Sequence, residues 1–143
     1  MALGALDSMG RGALQRSYRD VVAGLDDRKR LLVIAEEERE IVGMAQLAFS
    51  EATNADHRAE VQRVAVASDA RGRGIGRQLM VAVENAARDS GVTLLWLTTH
   101  EGTDACVFYE AIGYNRMGTM PNYSRRPDGT LWPGAFYFKE LSA

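Results

Sequence analysis

Apolar residues recur at helical and strand spacings along most of the chain. Between residues 11 and 25 they return every three or four positions, which predicts an amphipathic helix. Residues 31–35 form an unbroken apolar run of strand length, and the charged stretch 36–40 separates this run from a second apolar stretch over 41–49. The two stretches predict an antiparallel hairpin with a polar turn.

The rest of the chain alternates between predicted strands and predicted helices. A helix is expected to run to about residue 90, a second helix covers 103–111, and strands are expected over 60–68, 92–99, 113–120 and 135–141. The segment 121–134 contains all three prolines and predicts a loop. Because a strand–helix–strand unit joins parallel strands, the pattern predicts an α/β (α+β) fold. Its central sheet is mixed and mostly antiparallel, with about six strands and with helices on both faces.

Composition places the chain among ordinary globular domains. Its 143 residues are 46% hydrophobic and 25% charged, so we expect one domain over residues 1–143, with residues 1–10 as a loose tail. A formal charge of −2 argues against a general nucleic-acid binder, and no stretch approaches the roughly 18 apolar residues of a membrane span. The single cysteine, Cys106, can form neither an internal disulfide nor a cysteine-rich zinc site, which favours a cytoplasmic protein without a metal.

A cluster of glycines and arginines over residues 71–77 joins the strand 60–68 to the long helix. Its glycines allow close backbone approach, the helix N-terminus carries partial positive charge, and Arg71, Arg73 and Arg77 add formal charge. These features predict a phosphate-binding site; the alternative is a glycine-rich helix start with its arginines in solvent. A dinucleotide-binding fold is disfavoured because the third glycine of its fingerprint is absent, and the sequence of a Walker A loop is absent too.

The same turn matches the Arg/Gln-x-x-Gly-x-Gly/Ala signature of the GNAT superfamily of N-acetyltransferases, and the chain resembles that superfamily. A second element of the family, Ala-x-x-x-Tyr followed by Gly-Tyr, is matched by Ala105, Tyr109 and the pair Gly113 and Tyr114. A narrower likeness, to a bacterial subgroup that acetylates an amino-acid-like β-lactam toxin, extends over residues 58–63, 70–80 and 127–139. The resemblance implies that acetyl-CoA is the acetyl-donor cosubstrate. It also implies that the chain lacks the strand and helix with which this fold usually begins.

The resemblance further assigns residues to the cofactor. The pyrophosphate of coenzyme A is expected on the backbone N–H groups of the turn. The pantetheine arm is expected beside the preceding strand, where it would pair like an additional strand, and this requires the third and fourth strands to splay apart. The expected cofactor-binding residues are Val64, Ala65, Val66, Arg71, Gly72, Arg73, Gly74, Ile75, Gly76 and Arg77.

Two residues are expected to carry the proton transfers of acetylation. A primary amine with a pKa near 10.4 costs about 4–5 kcal/mol to deprotonate at neutral pH, so a general base is needed, and Glu60 at the start of the third strand is the candidate. Tyr109 matches the family's tyrosine and is the expected general acid toward the leaving thiolate. The alternatives are a solvated carboxylate for Glu60 and aromatic packing for Tyr109. Glu101, Asp104 and His100 are weaker candidates for the base.

The expected acceptor is the primary amine of a small, amino-acid-like molecule. The loop 122–128 would help to cover it, with Arg125 or Arg126 binding a substrate carboxylate and Trp132 forming a wall. No nucleic-acid or membrane partner is expected, and a homodimer is one expected assembly. The competing hypotheses are a non-catalytic module that binds CoA or acyl-CoA, and a domain that binds another phosphate ligand or a nucleic acid.

Overall fold

The computed structural model describes residues 2–3, 18–20, 29–70, 72 and 74–142. Within them the chain forms eight strands and two α-helices. The strands are β1 (Ala2–Leu3), β2 (Tyr18–Asp20), β3 (Arg30–Glu37), β4 (Glu40–Phe49), β5 (Arg58–Val66), β6 (Leu94–His100), β7 (Asn115–Arg125) and β8 (Leu131–Glu140). The helices are α1 (Ile75–Asp89) and α2 (Asp104–Ala111), and a 3-10 turn over Ser68–Ala70 follows β5.

The described strands form one mixed sheet. Their order is β1-β3-β4-β5-β6-β8-β7, and β2 also pairs with β3. β5 and β6 are parallel, whereas every other described pairing is antiparallel. Six long strands, β3 to β8, make up most of the sheet, so the predicted mixed and mostly antiparallel architecture is confirmed. The predicted hairpin is β3–β4, and α1 connects the parallel pair as the strand–helix–strand pattern indicated.

The C-terminal hairpin differs from the prediction of a loop over 121–134. β7 continues to Arg125 and β8 already begins at Leu131, so the connection is a short turn. The register of the two strands shifts just after Met120. This irregularity absorbs Pro121, which has no N–H to give to a ladder, and the strand therefore continues past a proline that would ordinarily end it.

The N-terminal strands also differ from the prediction. Tyr18–Asp20 is an extended strand paired with β3, so the helix expected over 11–25 is wrong at these residues. Ala2–Leu3 pairs with β3 as well, so these two residues are not a loose tail, and a strand precedes β3 where none was expected. The rest of residues 1–10 and 11–25 lies outside the described part of the chain. Strand pairing satisfies N–H and C=O groups on the edge of β3, which outweighs a local helical preference.

α1 packs against the sheet with the apolar stripe that the sequence predicts. Ile75, Leu79 and Val83 are buried in one core cluster that also contains residues of the strands. The hydroxyl of Tyr114, which follows α2, donates a hydrogen bond of 3.0 Å to Glu84 of α1 and so holds the end of α2 beside α1. Neither of the two helices in the described chain is long and apolar enough to cross a membrane.

Candidate active site

β5 and β6 separate from each other after a short parallel pairing. Residues 58–60 pair with residues 94–96, and no further pairing joins the two strands in the described chain. The second half of β5, up to Val66, therefore has backbone N–H and C=O groups on this side without a strand partner. The splay that the sequence analysis required is confirmed, and it leaves a slot in the middle of the sheet that can accept a ligand.

A bulge in β5 lies beside this slot. The pairing of β5 with β4 shifts register around Arg63 and Val64, where two residues of β5 oppose one of β4. Arg63 has a φ of 54°, in the left-handed region that costs a non-glycine residue about 1–2 kcal/mol. Such strain often persists where it orients a functional group. Here Val64 lines the cavities on both sides of the slot.

The first cavity, of about 740 Å³, lies between the second half of β5 and the N-termini of α1 and α2. Gly72 and Gly74 have φ values of 82° and 75°, and a Cβ atom at either would meet nothing within 4 Å. Gly74 is the N-cap residue of α1, and no side chain caps this helix. The first N–H groups of α1 are thus available to an anion. The cavity is lined by Val64, Ala65, Val66, Gly72, Gly74, Ile75, Gly76, Arg77, Thr103, Asp104, Ala105, Phe108 and Tyr109.

The lining agrees with the residues that were expected to bind a cofactor. All of them that the structure describes line this cavity, whereas Arg71 and Arg73 lie outside the described residues. Phe108 of α2 is half-buried and lines the cavity too. A Cβ atom at Gly76 would lie 3.4 Å from the Phe108 ring, so the missing side chain lets α1 and α2 approach each other closely here.

A second cavity, of about 540 Å³, opens along β5 and β6. It shares Val64, Ala105 and Tyr109 with the first cavity. A molecule in one cavity can therefore reach a molecule in the other past these three residues. The second cavity is lined by Arg30, Glu60, Val61, Gln62, Arg63, Val64, Leu97, Thr98, Thr99, His100, Ala105, Tyr109 and Tyr123.

The two expected catalytic residues both line this second cavity. Glu60 is half-buried and accepts a hydrogen bond of 2.8 Å from Gln62 Nε2. Tyr109 is 7% exposed and lines the first cavity as well. Burial raises the pKa of the Tyr109 hydroxyl to about 12, so it stays protonated at physiological pH and can donate a hydrogen bond. Among the described residues this hydroxyl has no hydrogen-bond partner, which leaves it available to a ligand.

The weaker candidates for the base are placed differently from one another. Glu101 lines neither cavity and forms an ion pair with Arg116. Asp104 lines the first cavity at the start of α2. His100 lines the second cavity, and its ring stacks on Trp132 with the ring centroids 4.1 Å apart. Of the three, His100 remains as an alternative proton acceptor in the second cavity.

The arginines that were expected to bind a substrate carboxylate are engaged elsewhere. Arg125 Nη1 donates a hydrogen bond of 2.9 Å to the carbonyl oxygen of Gly129, within the turn between β7 and β8. The guanidinium carbon of Arg126 lies 4.3 Å from the ring centroid of Trp132. Neither arginine lines the second cavity, because the tight turn draws both side chains back onto the hairpin. Trp132 likewise does not line that cavity; its ring stacks on the ring of His100, which does.

Two other side chains of the second cavity come from distant strands. Arg30, the first residue of β3, had no sequence signal for a site, whereas Tyr123 belongs to the stretch that was expected to cover the acceptor. The hydroxyl groups of Tyr123 and Thr98 share a hydrogen bond of 3.1 Å. The Tyr123 ring lies over Gly134, where a Cβ atom would be 2.6 Å from two ring carbons. Gly134 is therefore the one residue in the sequence whose identity reflects this close contact with the Tyr123 ring.

Comparison with known proteins gives the following matches. The sequence pattern of the Acetyltransferase (GNAT) family matches residues 7–114. N-alpha-acetyltransferase 80 of Mus musculus is 43% identical over 74 residues, which are 52% of this chain and 22% of that protein. Ribosomal protein bS18-alanine N-acetyltransferase of Haemophilus influenzae is 30% identical over 95 residues, which are 65% of this chain and 60% of that protein. The chain thus spans less than two thirds of either relative.

Among solved structures, the Salmonella typhimurium protein YncA with its cofactor acetyl-CoA matches at a TM-score of 0.70. The match covers 79% of this chain and 65% of that chain at 19% identity, and at this identity it establishes a shared fold. The family pattern over 7–114 contains the turn 71–77 and Tyr109 but ends before β7. Tyr123 therefore lies beyond the matched range.

Proposed function

The chain belongs to the GNAT family of acetyltransferases, and from this premise we propose that it is an N-acetyltransferase that uses acetyl-CoA. The acetyl donor would occupy the first cavity and the acceptor amine the second. The observation that carries the proposal is the junction of the two cavities at Val64, Ala105 and Tyr109, where a thioester and an amine can meet. An arrangement with a donor site, an acceptor site and a shared boundary suits group transfer better than binding alone.

The first cavity suits coenzyme A in charge and in backbone geometry. Its uncapped helix N-terminus, beside Gly72 and Gly74, fits a pyrophosphate group. The unpaired edge of β5 at residues 64–66 fits the amides of the pantetheine arm, which would pair like a short added strand. In the sequence, Arg71 and Arg73 flank Gly72 and would add positive charge. YncA shares this fold and has acetyl-CoA as its cofactor, which supports the same cosubstrate here.

In the proposed reaction the amine nitrogen attacks the thioester carbonyl carbon, a C–N bond forms, and the C–S bond breaks to release CoA. The acceptor ammonium gives one proton to Glu60, directly or through water, and the second proton, lost after the attack, ends on the thiol of CoA. Neutralising an amine of pKa near 10.4 at pH 7 costs about 4.6 kcal/mol, and a base at this position offsets much of that cost. The backbone N–H of Val64, at the bulge, would stabilise the tetrahedral oxyanion.

Tyr109 is assigned to the leaving sulfur. Full proton transfer from a hydroxyl with a pKa of about 12 to a thiolate whose thiol has a pKa near 8.5 would cost about 5 kcal/mol. We therefore assign Tyr109 the donation of a hydrogen bond that stabilises the developing thiolate, which is a narrower role than that of a full general acid. The raised pKa supports this role because it keeps the donor proton in place throughout the reaction.

For the acceptor we propose the primary amine of a small molecule. The second cavity, of about 540 Å³, lies within the range of about 300–1,000 Å³ that small-molecule sites occupy. The two curated relatives are named for α-amino and protein-alanine acetylation. The α-amino group of a peptide is therefore the alternative acceptor, and acetylation assays should include a short peptide beside small amines.

Two substitutions test the proposed mechanism. Glu60→Gln and Tyr109→Phe should each lower kcat about 100-fold, because each removes a group that acts only on the reacting atoms. The Kd for acetyl-CoA, measured by calorimetry, should stay within about two-fold of the wild-type value. Glu51→Gln is the matched control, since Glu51 carries an exposed carboxylate outside both cavities.

The same measurements separate the competing functions. A collapse of acetyl-CoA affinity in Glu60→Gln or Tyr109→Phe would contradict the assigned roles. Binding of acetyl-CoA without release of free thiol, in the presence of small amines and of a short peptide, would favour a non-catalytic CoA-binding module. Absence of any binding heat with acetyl-CoA or CoA would overturn the proposed function as a whole.

The remaining expectations stay proposals with simple tests. We propose that catalysis needs no metal, so activity should survive EDTA treatment and dialysis.

We also propose a homodimer that forms through β7. This strand is the last in the sheet order and carries the exposed side chains Met117 and Met120. An edge strand of eleven residues can pair with the same strand of a second copy. Light scattering after gel filtration tests the dimer, and cell fractionation tests the cytoplasmic location.

A further inference from the structure

Arg30 and Arg63 line the second cavity without an ion-pair partner among the residues that the structure describes. Several other arginines of the sheet and helices, though not all of them, have such partners or acceptors. Arg116 pairs with Glu101, and Arg125 donates to a backbone carbonyl in its turn. A guanidinium group stays charged at physiological pH and presents five N–H donors. The second cavity therefore offers two sets of positive donors for which the described protein supplies no acceptor.

The strand register places Arg30 on the same face of the sheet as Glu60. Arg30 pairs with Ala48 of β4, and Ala48 pairs with Glu60 of β5. Side chains of directly paired residues lie on one face, so the guanidinium and the carboxylate point the same way across two strand spacings, about 10 Å between Cα atoms. The residue between them has only a methyl group. Ala48 is half-buried and is not among the residues that line the cavity, and its methyl group is too small to separate the two charged side chains.

The bulge in β5 brings Arg63 to the same cavity. In a regular strand, position 63 would face the same side as Val61, which is 4% exposed and packs in the core. The extra residue at the bulge and the φ of 54° take Arg63 out of that alternation, and Arg63 is exposed and lies among the residues that line the second cavity. A backbone conformation that costs free energy thus serves to place a cation beside the acceptor.

We propose that Arg30 and Arg63 bind an anionic group of the acceptor, whose amine lies at Glu60. This inference rests on the proposed function and narrows it: the substrate is a small molecule that carries both a primary amine and a carboxylate or phosphate-type group. A planar carboxylate or a tetrahedral phosphonate matches the donors of a guanidinium group equally well. Arg30 and Arg63 take the role for which the sequence had suggested Arg125 or Arg126.

The test compares acceptors in matched pairs. One set pairs free amino acids with their amides, and the other pairs aminoalkylphosphonates with amino alcohols of equal chain length. Release of CoA thiol, followed against acceptor concentration, gives kcat/KM for each compound. The wild-type protein should prefer the anionic member by about ten-fold or more, the effect of one or two charge-assisted hydrogen bonds. The preferred set identifies the anion as a carboxylate or a phosphonate.

Substitutions then assign that preference to residues. Arg30→Gln and Arg63→Gln should each lower kcat/KM several-fold more for the anionic member than for the neutral member, mainly through a higher KM, while the Kd for acetyl-CoA stays within about two-fold of the wild-type value. Arg30→Lys should retain part of the preference because it keeps the charge but loses the fork of donors. Arg125→Gln is the matched control, since Arg125 lines neither cavity. Circular dichroism confirms that each variant is folded.

The outcomes separate this inference from the proposed function. Equal kcat/KM for both members of every pair, or a preference that persists in both Arg30→Gln and Arg63→Gln, overturns the inference while acetyl transfer itself stands. Binding of acetyl-CoA with acetylation of none of the compounds overturns it as well. Failure of the wild-type protein to bind acetyl-CoA overturns the proposed function and this inference together.

Discussion

Replacement of Gly134 by alanine should disturb the acceptor cavity through Tyr123. A Cβ atom at residue 134 would lie 2.6 Å from two carbons of the Tyr123 ring and 3.0 Å from its Cβ. Carbon atoms in favourable contact are about 3.5–4.0 Å apart, so the ring has to move by about 1 Å. That movement strains the 3.1 Å hydrogen bond between Tyr123 and Thr98 and the edge-on contact of the Tyr123 ring with Phe136, whose centroids are 5.3 Å apart.

The expected loss can be estimated from these contacts. Overpacking by one methyl group costs about 1–3 kcal/mol, and weakening of an exposed hydrogen bond adds at most about 1 kcal/mol. We therefore expect Gly134→Ala to lower the free energy of unfolding by about 2 kcal/mol, which corresponds to a fall in Tm of about 6–8 °C for a chain of this length. Because Tyr123 lines the second cavity, KM for the acceptor should rise while the Kd for acetyl-CoA stays constant.

A double-mutant cycle isolates the contact. Urea unfolding of the wild type, Gly134→Ala, Tyr123→Ala and the double variant should give a coupling energy of about 1 kcal/mol or more, since the added methyl group has room once the ring is gone. Gly118→Ala is the control, because a Cβ atom at Gly118 meets nothing within 4 Å, and its effect should stay within about 0.5 kcal/mol. Additive effects of the two substitutions would refute the reasoning.

Two further predictions concern stability. Lys139→Met should cost about 3 kcal/mol in urea unfolding because it leaves the buried Glu84 carboxylate without its Nζ partner at 3.1 Å. Addition of Glu84→Leu should recover most of that loss, and an unchanged midpoint in the single variant contradicts the buried pair. Folding raises the pKa of Tyr109 from 10.0 to about 12, so the stability that its neutral hydroxyl contributes is fully present below pH 10 and is lost between pH 10 and 12. Between pH 9 and 12 the wild type should therefore lose about 2 kcal/mol more than Tyr109→Phe, and equal losses would show that the buried hydroxyl does not titrate as described.

The lining of the first cavity could be predicted because its determinants are local. Glycines in the turn 71–77 indicate a backbone conformation that other residues rarely adopt, and Gly72 and Gly74 indeed have positive φ values. The helix that follows shows its apolar face at the expected spacing, with Leu79 and Val83 buried. Each of these properties depends on residues a few positions apart, which is the range over which a sequence pattern carries information.

The parts that could not be predicted depend on pairing between distant strands. Residues 18–20 lie within the stretch 11–25, whose apolar positions have helical spacing, but their backbone pairs with β3. Arg30 is one of three adjacent basic residues in the sequence, and only the row that it forms with Ala48 and Glu60 distinguishes it from a solvated surface cation. The spacing of residues in the sequence cannot predict this row, because Arg30, Ala48 and Glu60 are brought together only by the register of β3, β4 and β5.

This difference bears on how the acceptor can change while the fold persists. The contacts proposed for acetyl-CoA in the first cavity are backbone groups of β5 and of the N-terminus of α1, so a substitution there must keep the geometry of both elements. The molecule that the second cavity accepts would be determined by side chains such as Arg30, Arg63 and Tyr123. These side chains are at most half-buried and contribute little to the core. Substitutions of exposed residues usually change stability by less than about 0.5 kcal/mol. Where such a side chain supports no close packing contact, we therefore expect that the proposed acceptor preference can shift at little cost in stability and without a change in the proposed binding of acetyl-CoA.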